Sequence, residues 1–525
     1  MSFRRVSWVA AVALATWLEV SCGQVYRPVV IPIGVVQPTP QNYHAVFGIS
    51  ANVASNLGTA LQIDVSGDSD IGQANVGVNP THAAILPNNS RVFVASAGSL
   101  YPGETDVLTS FFPAGGVSVA TGLGSTTTVT FPNIGAINPN TNPPQPYLCS
   151  YLPDFVATSQ LSSVFVANYG VESDPNCNFA STDSVAAISI AQNSISNVAY
   201  LGAGSHPVAM AETPDALNLY VLNQGTNSVT DLSPQDLTTL ASIPVGNAPA
   251  WATVRPDSQR LYVVTQGDGQ LYTIRTDTNA VVGSPQSVGG AGANYVIYDK
   301  NLSRLYVTNP TAGAVYVFDA TADPPAPLGS ATGAISIPAP SIPASATCGG
   351  GGCSYSTVMP VSVTALQDGT RFYVASYVTS GGACPDPNVA ASQCVIPQIT
   401  VFDAGSLKVK TSVFPLLPPV ATPAKGVQPF ALTPATFCAP VFPYTPAAAR
   451  FRMSAVASAD NSRVYASMCD GGTVAVVATV PNAIAVGVNA ADVLVNDLAA
   501  PFSGGPAAAN GEPPLQNPLF LLMGQ

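Results

Sequence analysis

Four side chains of kinds that bind ligands occupy one position of a repeated sequence pattern. They are His82, Asp154, Trp251 and Tyr295, and each lies eleven residues before an aromatic residue that is followed by valine. If the repeated units meet around one centre, these groups converge there and can bind a small polar ligand or a cation. The alternative is that they close that centre by packing and hydrogen bonding. The remaining units have small residues at this position, Ala209, Ser362 and Ser454.

Other site chemistry has weaker support in the sequence. The chain has three histidines, His44, His82 and His206, which are too few for a histidine-rich metal site. Three carboxylates between residues 64 and 70 are a candidate Ca²⁺ loop, but the ligand at the twelfth position of an EF-hand loop is missing, which favours a polar hairpin turn. We therefore expect no catalytic residue, no metal site and no cofactor, with a divalent cation at the centre as the alternative.

The pattern that positions these side chains is clearest where two copies stand close together, at 251–265 and, 44 residues later, at 295–309. Each copy has a short apolar segment, a polar turn containing Asp or Asn with Ser, and then Arg-Leu-Tyr-Val; a third short apolar segment follows. Asp, Asn and Ser close tight turns by hydrogen bonding to nearby backbone. Short apolar segments joined by such turns predict an antiparallel β-meander.

The whole chain contains seven such units, each recognised by the aromatic residue of its second strand, or eight if Phe47 is counted. The seven aromatic residues are Phe93, Phe165, Tyr220, Tyr262, Tyr306, Tyr373 and Tyr465. A repeat of this length with strands and no helices predicts the blades of a β-propeller. We expect an all-β chain that forms a single propeller of seven four-stranded antiparallel blades. Eight blades are the alternative, if 29–36 supplies a first strand.

Several segments resemble the YVTN-type β-propeller repeat. Residues 306–309 read Tyr-Val-Thr-Asn, 226–232 read Thr-Asn-Ser-Val-Thr-Asp-Leu, and 243–249 read Ile-Pro-Val-Gly-Asn-Ala-Pro. The resemblance covers about 43–498 and is strongest over 207–319. It implies a seven-bladed propeller that is often exported or surface-associated and commonly has no known enzymatic role. In a propeller the first strand of each blade lines the central channel, so the four candidate residues are expected at the channel mouth.

Composition supports a strand-rich domain and excludes one class of partner. The chain has 525 residues, including 44 Gly and 48 Pro, and large all-β folds of this size can form one domain. Only 8% of the residues are charged, and the net charge is −12. Binding to phosphates requires Lys and Arg, so we expect no nucleic-acid partner.

The first 22 residues have the features of an export signal. Arg4 and Arg5 precede an apolar segment, 6–18, that is too short to span a bilayer. Ser21, Cys22 and Gly23 follow and resemble a bacterial lipoprotein signal, in which the cysteine is lipidated and anchors the protein to a membrane. Cleavage without lipidation is the alternative. We assign 1–22 to the signal, 23–42 to a Pro-rich tether, 43–500 to the propeller with its insertions, and 501–525 to a Gly/Pro/Ala-rich tail in which 520–523 docks.

Eight further cysteines follow Cys22, and an even number predicts disulfides in an oxidising compartment. Neighbours in sequence are the expected partners, although the sequence does not prove the connectivity. The expected pairs are Cys149 with Cys177, Cys348 with Cys353, Cys384 with Cys394, and Cys438 with Cys469. The close pair at 348 and 353 is also a candidate metal or redox pair, but no histidine lies near it in sequence, which favours a local disulfide.

Long insertions between the strands determine the functional expectation. They are 133–148, 320–356, 380–398 and 415–449. Long loops on a rigid scaffold commonly carry binding sites. We therefore expect an exported, lipid-anchored, non-enzymatic binding or scaffold module at the outer membrane, in the periplasm or at the cell surface, with a protein or glycan partner. The alternative is a lactonase- or lyase-like enzyme with its site at the channel mouth.

Overall fold

In a computed structural model the chain divides into two units, 1–40 and 41–525. Every residue that the structure describes belongs to the second unit, and the predicted signal, the tether and Cys22 lie outside the described residues. Within the described ranges no helix has the length and hydropathy that a membrane span requires. The described residues are 45–51, 57–86, 90–97, 107–111, 126–131, 137–138, 143–146, 151–170, 181–340, 355–380, 394–415, 430–431, 453–469, 472–481, 491–499 and 517–524.

The regular elements of the described residues are all strands, and they form eight antiparallel blades in a ring. The first strand named for each blade is the innermost one, at the channel, and the others follow outward. Blade 1 comprises Pro518–Met523, Ala45–Ser50, Leu57–Asp64 and Ser69–Val78; blade 2 comprises Pro80–Ile85, Val92–Ser96, Val107–Phe111 and Thr126–Thr130. Blade 3 comprises Pro153–Thr158, Ser163–Asn168, Ser184–Ser189 and Ser194–Tyr200; blade 4 comprises Pro207–Glu212, Leu219–Asn223, Ser228–Leu232 and Thr239–Pro244.

In three of the remaining blades a fifth, short strand also pairs with the third strand. Blade 5 comprises Pro249–Val254, Arg260–Thr265, Gln270–Arg275, Ala280–Val281 and Gln286–Ser287; blade 6 comprises Tyr295–Asp299, Arg304–Asn309, Ala314–Asp319, Ala326–Pro327 and Ala334–Ser336. Blade 7 comprises Tyr355–Ala365, Arg371–Ser380, Cys394–Asp403, Val409–Val413 and Phe430–Ala431; blade 8 comprises Met453–Ala457, Arg463–Met468, Thr473–Ala478 and Val493–Ala499. A separate hairpin consists of Ile137–Asn138 and Gln145–Pro146.

The ring closes by pairing strands from opposite ends of the described chain. Pro518–Met523 runs antiparallel to Ala45–Ser50, so a C-terminal strand is the innermost strand of blade 1. The structure confirms the all-β propeller of four-stranded antiparallel blades, but with eight blades instead of the favoured seven. The unit of Phe47 becomes complete because its first strand comes from the C-terminal end; the segment 29–36 lies outside the described residues. The segment 501–525, which composition assigned to a tail, thus contains a strand of the ring.

Arg and Tyr side chains at the start of the second strand join neighbouring blades. In blade 8, Arg463 Nε donates hydrogen bonds to both carboxylate oxygens of Asp68, at 2.9 and 3.0 Å. The Tyr465 hydroxyl donates to Asp68 Oδ1 at 3.1 Å. Asp68 lies in the turn between the third and fourth strands of blade 1. The Arg and Tyr of one blade are therefore bound by a turn residue of the next.

The same kind of contact recurs at other blade boundaries. The pairs are Arg91 with Asn193, Tyr220 with Asn279, and Arg371 and Tyr373 with Asp492. All four acceptors, Asp68 included, have positive φ angles, between 45° and 61°. Asp and Asn are enriched among the non-glycine residues that adopt this conformation. The positive φ angle of the turn and the hydrogen bond from the neighbouring blade therefore both favour Asp or Asn at this position.

We expect Arg371→Ala to lower the free energy of unfolding by about 3 kcal/mol, because it leaves the buried carboxylate of Asp492 without its cation. The Arg371 and Asp492 side chains are only 12% and 5% exposed. The measurement is the urea midpoint of the folded domain. The matched control is Arg275→Ala, which removes the exposed ion pair with Asp277 and should leave the midpoint unchanged. Equal effects of the two substitutions would contradict the role of the inter-blade pair.

Candidate functional site

Aromatic rings from several blades meet at the centre of the ring. The ring centroids of Trp251, in blade 5, and Phe520, in blade 1, are 6.5 Å apart, although these blades lie opposite each other in the ring of eight. The centroids of His82, in blade 2, and Trp251 are 5.8 Å apart. Side chains from non-adjacent blades can meet in this way only on the channel axis. We call His82, Phe155, Trp251, Tyr295 and Phe520 the aromatic plug.

The rings of the plug pack closely. His82 stacks on Phe155 with centroids 3.9 Å apart and planes inclined by 15°, and its centroid lies 4.4 Å from that of Phe520. The centroids of Trp251 and Tyr295 are 4.9 Å apart. His82, Phe155, Trp251 and Phe520 are buried, and Tyr295 is half-buried. At these distances the rings are in contact, so they close the channel at this level.

Strand register explains why these residues converge. His82 pairs with Ala95, two residues after the aromatic anchor Phe93, and Trp251 and Phe520 pair at the equivalent position of their own blades. In other blades this position holds the small side chains Ala209, Ser362 and Ser454. Their size leaves the centre of the ring to the larger side chains. The predicted convergence is therefore observed for His82, Trp251 and Tyr295.

The fourth predicted residue, Asp154, does not occupy this position. Phe155 pairs with Ala167, and Asp154 lies in the register shift between Pro153 and Phe155. The connection between the first two strands is one residue shorter in blade 3, because Phe155 and Ala167 are twelve residues apart whereas His82 and Ala95 are thirteen apart. Counting eleven residues back from the aromatic anchor therefore selects Asp154 instead of Phe155, which is the residue that belongs to the plug. Ligand binding by Asp154 or by the plug stays a prediction.

The polar groups of the plug are constrained by their surroundings. His82 Nδ1 lies 3.1 Å from the carbonyl oxygen of Val156, in blade 3, and 3.4 Å from the backbone nitrogen of the same residue. Both backbone polar groups of Val156 therefore lie within hydrogen-bonding distance of His82 Nδ1. Burial raises the pKa of Tyr295 to about 12. The Tyr295 hydroxyl is therefore neutral at physiological pH.

Sequence reasoning missed two members of the plug. Phe155 was missed because the short connection of blade 3 shifts the count along the sequence by one residue. Phe520 was missed because its strand follows the last repeated unit and lacks the preceding pattern. The apolar run 520–523 was recognised, but the sequence did not show where it binds. Its pairing with Ala45–Ser50 depends on the closed ring.

The other acidic and histidine candidates lie apart from the plug. Within 64–70, Asp64 accepts hydrogen bonds from Ser66, Asp68 binds Arg463, and Asp70 accepts from Gln73. Burial raises the pKa values of Asp68 and Asp70. These separate partners fit a hairpin turn. No group of three or more His, Cys, Asp and Glu residues suited to a metal occurs in the described chain.

His206 belongs to a different contact, between blades 3 and 4. Its ring stacks on Tyr169 with centroids 4.4 Å apart, and its Nδ1 lies 3.6 Å from the buried carboxylate of Asp183. His44 and the seven cysteines other than Cys394 and Cys469 lie outside the described residues. Cys469 is buried at the end of the second strand of blade 8. The four disulfide pairs stay predictions.

Strand connectivity places the long insertions on one face of the ring. We call the face at which the innermost strands begin the upper face, and the opposite one the lower face. In an antiparallel blade, the connections between the second and third strands and from the fourth strand to the next blade both lie at the upper face. Residues 133–148, 337–354 and 416–452 join successive blades, and 381–393 joins the second and third strands of blade 7. The ends of these four segments therefore lie at the upper face, whereas the predicted insertion 320–356 begins at the lower face, directly after the third strand of blade 6.

No family model and no curated protein matches the chain. Solved structures are similar to it in fold. They include the periplasmic gluconolactonase of Pseudomonas aeruginosa, with a TM-score of 0.46 and 15% identity over 70% of this chain and 94% of that one. Hydrazine synthase of Kuenenia stuttgartiensis has a TM-score of 0.41 and 16% identity over 62% and 76%, and virginiamycin B lyase of Staphylococcus aureus has 0.38 and 10% over 75% and 92%. At these TM-scores and identities the similarities assign no function to this chain.

The plug can be observed through one fluorophore. A chain that begins at residue 23 contains Trp251 as its single tryptophan, because the other two are Trp8 and Trp17. We expect blue-shifted emission and weak quenching by acrylamide, since the Trp251 ring is buried among the other rings. Phe520→Ala should raise the quenching constant several-fold by opening the space beside Trp251.

The control for this substitution is Phe402→Ala, which removes an equally large buried ring that stacks on Phe372, in blade 7. Both substitutions should cost stability, by about 3–5 kcal/mol. Only the loss of Phe520 should expose Trp251. Strong quenching of Trp251 in the unsubstituted protein would show that the channel is open at this level.

Proposed function

We propose that this chain is an exported, lipid-anchored, non-enzymatic propeller that uses its upper face to bind a protein or glycan of the cell envelope. The observation that carries the proposal is that the segments 133–148, 337–354, 381–393 and 416–452 begin and end at the upper face. On the lower face, most of the turns that the structure describes are short. Binding residues commonly lie on long loops held by a rigid scaffold.

The closed channel supports binding at the rim in preference to binding inside the ring. The plug occupies the centre, where His82, Trp251 and Tyr295 contact other rings. A substrate that enters from the upper face would have to displace these packed side chains to reach the axis. The insertions provide an alternative surface that requires no such rearrangement.

The export part of the proposal rests on the N-terminal sequence and the cysteines. The segment 1–22 has the basic start, short apolar run and cysteine of a lipoprotein signal. Eight later cysteines suit an oxidising compartment, where disulfides persist. Two of the predicted disulfides lie within insertions and each of the other two has one cysteine in or beside an insertion, so they would restrict the conformations of those loops and reduce the entropy lost on binding.

Site-specific photo-crosslinking in cells tests the upper-face interaction. Thr311 lies in the connection between the second and third strands of blade 6, at the upper face, and Thr370 precedes the second strand of blade 7, at the lower face. Both are exposed. We expect a photoreactive residue at position 311 to yield a crosslinked envelope component, while the same residue at position 370 should not, since the partner binds one face.

Two results would contradict this proposal. One is crosslinking from position 370 with none from position 311, which would place the partner on the lower face. The other is turnover of a lactone by the purified domain that is lost on Trp251→Ala or His82→Ala, which would favour the enzyme with a site at the channel mouth. Crosslinking of a component that protease destroys identifies a protein partner, and resistance to protease identifies a glycan.

Lipid anchoring has a separate test. We expect Cys22→Ser to shift the protein from the membrane fraction to the soluble fraction, because the acylated thiol is lost. The matched control is Ser21→Ala, which keeps a small residue before the cysteine and should leave the protein with the membranes. An unchanged membrane fraction for Cys22→Ser would contradict the lipid anchor.

A further inference from the structure

The lower face contains two adjoining cavities that the proposed function does not use. The first, of about 320 Å³, is lined by residues at the ends of the innermost strands of blades 5, 6 and 7 and by Met523 of blade 1. Thr253, Ile297 and Thr364 each follow a channel-facing position by two residues. This cavity therefore lies one layer of side chains below the level of the plug, at the lower mouth of the channel.

The second cavity, of about 420 Å³, lies between blades 5 and 6. It shares the side chains of Pro256, Tyr298 and Lys300 with the first cavity. The shared wall therefore combines a proline ring, an aromatic ring and an ammonium group. The ring of Tyr298 is parallel to that of Tyr262, with centroids 6.2 Å apart and planes inclined by 7°. This stacking limits the orientations open to the Tyr298 ring at the wall.

Lys300 is the cationic group available to a ligand in this wall. Arg255 also lines the second cavity, but its guanidinium makes two contacts with the carboxylate of Asp257, at 2.9 and 2.8 Å. No ion pair involves Lys300 among the residues that the structure describes, and Lys300 is exposed. The chain has only four lysines. An ammonium group beside an aromatic and a proline ring suits an anion with a flat apolar body.

The surrounding charges limit the ligand to a single negative charge. The turns after the innermost strands of blades 4, 5, 7 and 8 carry Asp215, Asp257, Asp368 and Asp460, whereas the turn of blade 6 carries Lys300 and Asn301. Asp299 precedes Lys300, and its Oδ1 accepts hydrogen bonds from the backbone of Asn301 and Leu302. These carboxylates, together with the net charge of −12, disfavour a polyanion or a phosphate dianion.

We propose that the lower mouth of the channel binds a small organic monocarboxylate with a planar apolar body. The carboxylate lies at Lys300, and the body lies against Tyr298 and Pro256 and extends toward Ile297 in the first cavity. The ligand enters from the lower face, because the plug closes the channel above it. This site is separate from the insertion-bearing upper face.

Benzoate is the probe for this site, and titration calorimetry of the domain from residue 23 onward is the measurement. We expect benzoate to bind and Lys300→Met to weaken its affinity at least fivefold, because the substitution removes the charge and keeps the length of the side chain. Benzamide, the neutral analogue, should bind at least fivefold more weakly than benzoate. The control is Lys408→Met, since Lys408 is exposed and lines neither cavity.

Three results would each overturn the proposal: no heat of binding with 10 mM benzoate, equal affinity of the unsubstituted protein and Lys300→Met, or equal affinity for benzoate and benzamide.

A second set of measurements distinguishes loss of the binding site from unfolding of the variant. Benzoate should change the emission of Trp251, which lies above the first cavity, and circular dichroism of Lys300→Met should match that of the unsubstituted protein. If Lys300→Met loses benzoate binding and also has a changed circular dichroism spectrum, the test is repeated with Lys300→Gln. The proposal then requires that Lys300→Gln loses benzoate binding while its spectrum matches that of the unsubstituted protein.

Discussion

The antiparallel pairing of Pro518–Met523 with Ala45–Ser50 is the contact on which the ring depends. A series of blades leaves two unpaired faces unless the first and last blades meet. Here the C-terminal strand completes blade 1 and also packs against blade 8, where the Ser467 hydroxyl donates to the carbonyl of Leu519 at 3.2 Å. Leu521 is buried with Val46 and Tyr465. One strand thus supplies both the hydrogen bonds and the apolar contact that close the ring.

Closure also creates the aromatic plug. Phe520 reaches the channel axis because its strand is the innermost of blade 1, and there it meets His82 and Trp251 from blades 2 and 5. Toward the lower face, the Arg and Tyr side chains of successive blades bind Asp or Asn in the turns of their neighbours. The blades are therefore held together at two places, by ring packing at the axis and by polar contacts at the turns.

The plug divides the propeller into two faces with different structures. The upper face carries the ends of 133–148, 337–354, 381–393 and 416–452, whereas the lower face has a cavity beneath the plug at the channel mouth. A macromolecule bound to the insertions and a small molecule bound at Lys300 would be separated by packed rings. The two proposed sites therefore need not compete for the same space.

The sequence by itself determined the type of blade, the approximate register and the presence of insertions. Alternation of apolar residues and the turns rich in Asp and Asn specify strands locally, and Arg-Leu-Tyr-Val marks the second strand of each blade in which it occurs. Counting back from that strand placed Trp251 and Tyr295 correctly. These features are readable because each depends on residues that are near one another in the chain.

Only the tertiary structure decided the number of blades, the membership of the plug and the face on which the insertions lie. Phe520 follows the last repeat, and its partner strand is at the other end of the chain, so no local pattern marks it. Asp154 was preferred to Phe155 because a connection shortened by one residue shifts the count, whereas the register is fixed by backbone pairing with Ala167. Contacts between distant segments decided these points, and a local pattern carries no information about them.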